Sequence, residues 1–136
     1  MNPLPRPAFL PPVLRWILRL VSAGILLQTL FFKFSGAEES IYIFTKVGAE
    51  PVGRIGSGII ELIAAILLLW PRWSVLGALV ACGVMSGAIL SHLAILGIVV
   101  KDDGGTLFIL ACTVWISTAV LILDGRRKIP VVGRFF

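Results

Sequence analysis

Charge is scarce in this sequence. Asp, Glu, Lys and Arg make up 14% of its 136 residues, against about a quarter in an average soluble domain. It holds one histidine, one tyrosine and two cysteines. Cys82 and Cys112 lie in different apolar stretches and form no CxxC pair. A disulfide scaffold or a zinc site therefore lacks the residues it needs. A lone histidine with no acid at helical spacing argues against a dedicated metal site of any kind. The basic excess, 12 Lys and Arg against 7 acids for a formal charge of +5, raises nucleic acid as a partner. Placement excludes it: the basic residues sit at the ends of apolar segments and form no stripe, the pattern of membrane topology signals.

Apolar sequence is what remains, at 58% of residues and a mean hydropathy of +1.03. This composition predicts an integral membrane protein of one domain, residues 1–136. Four segments approach the ~20 residues that a helix needs to cross a bilayer. They run from Val13 to Phe34, Val52 to Trp70, Trp73 to Val100 and Thr106 to Leu123. The third is long enough to tilt or to extend past the membrane. Before them, residues 1–12 carry five prolines and no periodicity; after them, residues 124–136 are basic. Both read as cytoplasmic tails. The expected fold is an all-α, antiparallel four-helix membrane bundle.

The connections differ in kind. Pro71 and Arg72 alone separate segments two and three, which predicts a tight hairpin. Lys101 to Gly105, KDDGG, reads as a short polar turn. Between segments one and two, Ser35-Gly36-Ala37-Glu38 has the S-x-x-E form of a capping box. Ile41, Phe44 and Val47 follow at three-residue spacing, with Gly48 as a stop. This predicts a short interfacial helix, about Glu38 to Val47, with its apolar face toward the membrane. The small residues Ser35-Gly36-Ala37 also suit a signal peptidase, but the preceding segment is long and Lys33 interrupts it, so a retained helix is expected. With both termini on one side, that side holds eight basic residues and the other four, diluted by five acids. The termini are therefore expected in the cytoplasm, and the protein in the inner (cytoplasmic) membrane. Trp16, Trp70 and Trp73 then form an aromatic belt at the inner interface.

With that topology, polar residues from all four helices fall in one outer layer. Glu61 follows Arg54 by seven residues, and His92 precedes Lys101 by nine. At ~1.5 Å per residue both lie roughly 10–13 Å below the outer boundary. Gln28 and Thr113 come to the same level, and Lys33 lies nearer the surface. Ser57, Gly58, Ala64 and Ala65 surround Glu61 at helical spacing. Such small residues admit a neighbouring helix and turn the acid inward. Gly77, Ala81 and Ala88 on the side of His92 suggest that the third helix is central. Ionisable residues at bilayer depth are functional candidates by default. Gln28, Lys33, Glu61, His92 and Thr113 are accordingly the candidate ligand-binding residues, with Glu61 and His92 expected to share a pocket. The competing reading is that these groups only fix helix packing, which interhelical polar pairs do at ~0.6 kcal/mol on average. The cysteines differ in depth by roughly 15–18 Å, too far to pair, and read as packing residues.

These features resemble the DoxX family. The carriers are Arg19 entering helix one, Lys33 in FFKFSG, Glu61 in GIIELIAAILLL, and SHLAILGIVVKDDGG followed by an apolar helix and DGRRKIP. The resemblance runs from Arg15 to Pro130, with a departure at Leu30, where many members have glycine. It implies a small four-helix membrane protein associated with quinone or thiol redox chemistry, and it names no activity. The expected function is a redox-associated subunit with a pocket for a quinone-like or other small lipophilic ligand. The chain shows no haem-ligand pair, flavin motif or cysteine pair, so electrons would come from a partner: another membrane protein, a soluble redox protein, or a second copy. Quinone is the one cofactor implied, bound without a covalent link, and the chain is not expected to be an enzyme on its own. The alternatives are a proton-coupled transporter of small molecules, and a structural or assembly subunit of a membrane complex.

Overall fold

The computed structural model describes residues 10–100 and 104–125. The proline-rich start to Phe9, the Lys101–Asp103 part of the expected turn and the basic end from Arg126 lie outside them. Among the described residues the chain is wholly helical. The long helices are α1 (Pro12–Ser35), α3 (Val52–Leu69), α4 (Ser74–Ser91, extended by a π-helical turn His92–Leu96) and α5 (Thr106–Asp124), with the short α2 (Glu38–Lys46) between α1 and α3. Four of these, counting Pro71–Leu96 as one span, are long and apolar enough to cross a membrane.

Local chemistry sets the ends. Pro12 opens α1, where a missing N–H removes nothing and its φ is already helical. Gly36, at φ 69°, closes it: its N–H donates to the Lys33 carbonyl and that of Ala37 to Phe32 O. This glycine turn replaces the expected capping box. Ser35 is the last residue of α1, its hydroxyl donating to Phe32 O, and Ala37 precedes α2 with no side-chain cap. Glu38 and Glu39 in the first turn of α2 and Lys46 in its last suit the helix dipole. Pro71 stops α3, and the 3-10 turn Pro71–Trp73 leads straight into α4.

The third apolar segment ends earlier than its hydropathy predicts. Ile98 to Val100 are apolar, yet the helix stops at Leu96 because Gly97 takes φ 81°. The Gly97 N–H donates to His92 O, closing the π turn.

Each of the four long helices packs mainly on two others: α1 on α3 and α5, α4 on α3 and α5. The third segment is therefore not central; α1 and α4 are equivalent in this respect. The shared interior is made of small and medium residues, among them Ala23, Leu26, Ala64, Ala65, Leu68, Ala78, Ala81 and Val114. Small side chains bring backbones together, as where α3 meets α4. A Cβ on Gly77 would lie 2.6 Å from the Leu68 backbone nitrogen. Large aliphatic and aromatic side chains point outward instead, with Val52 81% and Phe31 71% exposed. A water-soluble surface does not carry apolar area on that scale.

Candidate functional site

Glu61 stands mid-way along α3 with its smallest neighbours. Gly58, Ala64 and Ala65 are buried on the same face, so α1 approaches closely enough to reach the carboxylate. Lys33 Nζ donates to Glu61 Oε1 at 2.7 Å and to Ser57 Oγ at 3.2 Å. Thr29 Oγ1 lies 3.5 Å from Glu61 Oε2 while donating to Leu26 O at 2.8 Å. The Lys33 side chain is 14% exposed and that of Glu61 2%. Away from water, each charge offsets the desolvation of the other, and the hydroxyl contacts supply hydrogen bonds. Phe44 from α2 sets its ring 5.3 Å from Lys33 Nζ. Arg54 holds this end of the helices together: it pairs with Glu50 at 2.9 Å and donates through Nη1 to the Lys33 carbonyl, fastening the end of α1 to the start of α3.

The ion pair forms part of the wall of a cavity of about 520 Å³. All five helices contribute. Leu26 and Gln28 come from α1, Met85 and Ser91 from α4, and Leu107 and Ala111 from α5. One side is covered by α2 through Glu39, Ser40, Ile43, Phe44 and Val47. Phe44 and Val47 thus face the cavity, whereas Ile41, expected to share their face, is exposed. A three-residue repeat drifts by about 60° at each step. The face that the fold uses follows four-residue spacing through Ser40 and Phe44, with Ile43 and Val47 beside them at the same spacing.

His92 lines the same cavity. Its Nδ1 is 2.9 Å from the Gly97 carbonyl oxygen, and a carbonyl only accepts, so Nδ1 donates. Its ring meets Phe108 of α5 edge to face, centroids 5.6 Å apart. The side chain is thereby fixed from both sides.

The structure thus brings Gln28, Lys33, Glu61 and His92 to one cavity. It does not join Glu61 to His92 directly; among the described residues no hydrogen bond or ion pair links them, and Lys33 is the partner of Glu61. Helix lengths explain this. From the tight turn at Pro71–Trp73, Glu61 is eight residues along α3 and His92 eighteen along α4. If both run straight, His92 stands about 15 Å farther out. Equal depth, expected from a helix reaching Val100, fails because the helix ends at Leu96. Thr113 does not line the cavity. Its hydroxyl donates to Ile109 O at 2.8 Å on its own helix. It shares a face of α5 with Thr106 and Leu110, which do line the cavity, but it stands two residues, about 3 Å, past Ala111, the last residue of α5 on the wall.

At the opposite end of the helices, the sequence reading missed Asp124 and named Arg19 only as a carrier of the family resemblance. Asp124 is the last residue of α5, not the first of a tail, and its side chain is 3% exposed. It accepts from the Leu10 N–H at 2.8 Å and from Arg15 Nε at 3.0 Å, while Arg15 Nη2 donates to Leu10 O. The signal was an acid closing one apolar segment at the membrane face where an arginine opens another. Arg19 is buried, donates through Nε to Leu68 O at 2.6 Å and rests 3.8 Å from the Trp16 ring. Its Nη2 and the Ser22 hydroxyl have no hydrogen bond among the described residues. Thr29 and Ser57 were legible too: Thr29 stands four residues before Lys33 and contacts Glu61, and Ser57 stands four before Glu61 and accepts from Lys33. Cys82 and Cys112 are free thiols.

No family model, curated protein or solved structure matches the chain.

Proposed function

We propose that this is a multi-pass membrane protein of the DoxX-like kind, whose four long helices cross the bilayer as an antiparallel bundle with both termini cytoplasmic. In this reading α2 lies at the outer surface and roofs an intramembrane cavity. The cavity holds a small lipophilic ligand, quinone-like in class, and the protein serves as a subunit beside a redox partner that supplies electrons.

The cavity itself is the observation that carries this proposal. A polar layer that served packing alone would be closed over by side chains, since interiors leave few voids larger than a water molecule. A space of about 520 Å³, walled mostly by apolar side chains with one ion pair and one imidazole, has the size and make-up of small-molecule sites. Lys33 keeps a third N–H beyond its bonds to Glu61 and Ser57, a donor for a ligand carbonyl. The redox association rests on the family resemblance.

The test is an absorbance scan of protein purified in mild detergent, followed by solvent extraction and mass identification. The expected result is one ring-bearing lipophile in near-stoichiometric amount. Bulk phospholipid alone would contradict the proposal, and proton-coupled uptake in liposomes would favour the transporter reading.

A further inference from the structure

His92 defines which hydrogen-bonding role a ligand plays at its end of the cavity. The Gly97 carbonyl can only accept, so the ring proton is held on Nδ1 at 2.9 Å. The same glycine donates its N–H to His92 O, so residue and acceptor are locked in one closed turn. Exchange of tautomer would set two lone pairs against each other. In the neutral ring, Nε2 is then a fixed lone-pair acceptor. The two acids on the cavity wall, Glu61 and Glu39, form no ion pair with the ring among the described residues, and Lys33 already pairs with Glu61. Phe108 covers part of the ring from α5, and no described residue donates to Nε2. The cavity therefore contains an imidazole acceptor, pre-set in direction and awaiting an X–H group.

We infer that the ligand presents a hydroxyl to His92 Nε2, so that the site selects the hydroxyl-bearing, hydroquinone or phenol form of a lipophilic ring over the carbonyl or ether form. This inference rests on the cavity being a lipophile site, and it adds the polarity of the contact. A quinone carbonyl brought to Nε2 meets a lone pair with a lone pair, and a methyl ether brings no proton at all. A hydroxyl gives that nitrogen its hydrogen bond. One neutral hydrogen bond formed against one left unmade is worth about tenfold in affinity.

The experiment titrates detergent-solubilised protein under anaerobic, reducing conditions with a short-chain alkyl hydroquinone and with its dimethyl ether. Both titrations are repeated with His92→Phe and His92→Gln. Detergent partition differs between the two compounds but is common to all three proteins, so the change in preference between proteins is the readout. The wild type should prefer the hydroquinone about tenfold more than His92→Phe does. His92→Gln, which keeps an acceptor oxygen, should recover part of the preference. The ether should bind all three proteins within about twofold. An unchanged preference in a folded His92→Phe protein overturns the inference and leaves the cavity reading intact. Should His92→Phe fail to fold, equal wild-type affinity for the two compounds, after correction for their measured detergent partition, overturns it instead. Binding of neither compound to the wild type overturns both.

Discussion

Lys33 and Glu61 are not equivalent partners. The glutamate is 2% exposed and anchored mid-way along α3 on a short side chain, whereas the lysine has a long apolar stem and stands near the end of α1. Removing the acid leaves a cation that can swing its head outward along that stem. Removing the base leaves a carboxylate where it is. Breaking a buried pair from one side costs about 3–5 kcal/mol when the remaining charge stays trapped. Lys33→Met should therefore destabilise the protein by roughly that amount, and Glu61→Gln by roughly half or less. Thermal unfolding in one detergent checks the order; equal losses would show that the pair is not asymmetric in depth. Part of this site was visible in the sequence. An acid flanked by Ser57, Gly58, Ala64 and Ala65 announces that it faces another helix, because small residues at helical spacing have no other use on a lipid-facing helix. Its partner was less visible: residue counts from the outer ends put both Lys33 and His92 within reach, and the count for His92 fails because its helix stops at Leu96. Thr113 failed by height too, standing past Ala111, the last residue of α5 on the cavity wall. Counting residues fixes height only where the helix end is known.

Among the elements, α3 and α4 approach closely, and the contact depends on one glycine. A methyl on Gly77 would meet the Leu68 backbone nitrogen at 2.6 Å and the Leu67 Cβ at 2.8 Å, neither of which can rotate away. Gly83, six residues along the same helix, has nothing within 4 Å of such a methyl. Gly77→Ala should destabilise by about 1–3 kcal/mol as the helices are forced apart. Gly83→Ala should be neutral or stabilise by up to about 1 kcal/mol, since alanine loses less entropy in a helix. Unfolding midpoints of the two variants, measured side by side, decide the matter; a tolerated Gly77→Ala would mean that the contact is looser than described. The spans themselves were legible within a few residues, because an apolar run near twenty residues long has one economical fold in lipid. Their outer ends were harder. Hydropathy continues through Ile98 to Val100, but helix termination at Gly97 is a matter of backbone geometry, which an apolar flank conceals. The roofing role of α2 was likewise hidden. Its length was evident, but whether Phe44 turned toward lipid or toward Lys33 depended on how the turn at Gly36 directs the chain.

At the scale of the whole molecule, the two ends of the helices are built differently. One end is closed: Asp124, Arg15 and Leu10 tie the start of α1 to the end of α5, and Arg19 is tied to Leu68. The other encloses the cavity under α2. The proposed topology puts the closed end in the cytoplasm. Single cysteines at Lys46 and Arg72, introduced into a Cys82→Ser, Cys112→Ser background, test this with an impermeant maleimide on intact cells. Position 46 should label from outside and position 72 only after lysis; the reverse pattern would invert the protein in the membrane. The central claim is that the cavity is occupied by a lipophile, and Gly87 offers the most direct test. Gly87 lines the cavity and a Cβ there meets nothing within 4 Å, so Gly87→Phe is chosen to add a ring at the wall with no clash at its first atom. The measurement is the amount of extracted ring-bearing lipophile per protein, wild type against Gly87→Phe, with unfolding midpoints confirming that both are folded. The account predicts about one molecule per wild-type chain and a loss of at least tenfold in the variant. Equal amounts in the two folded proteins would contradict it.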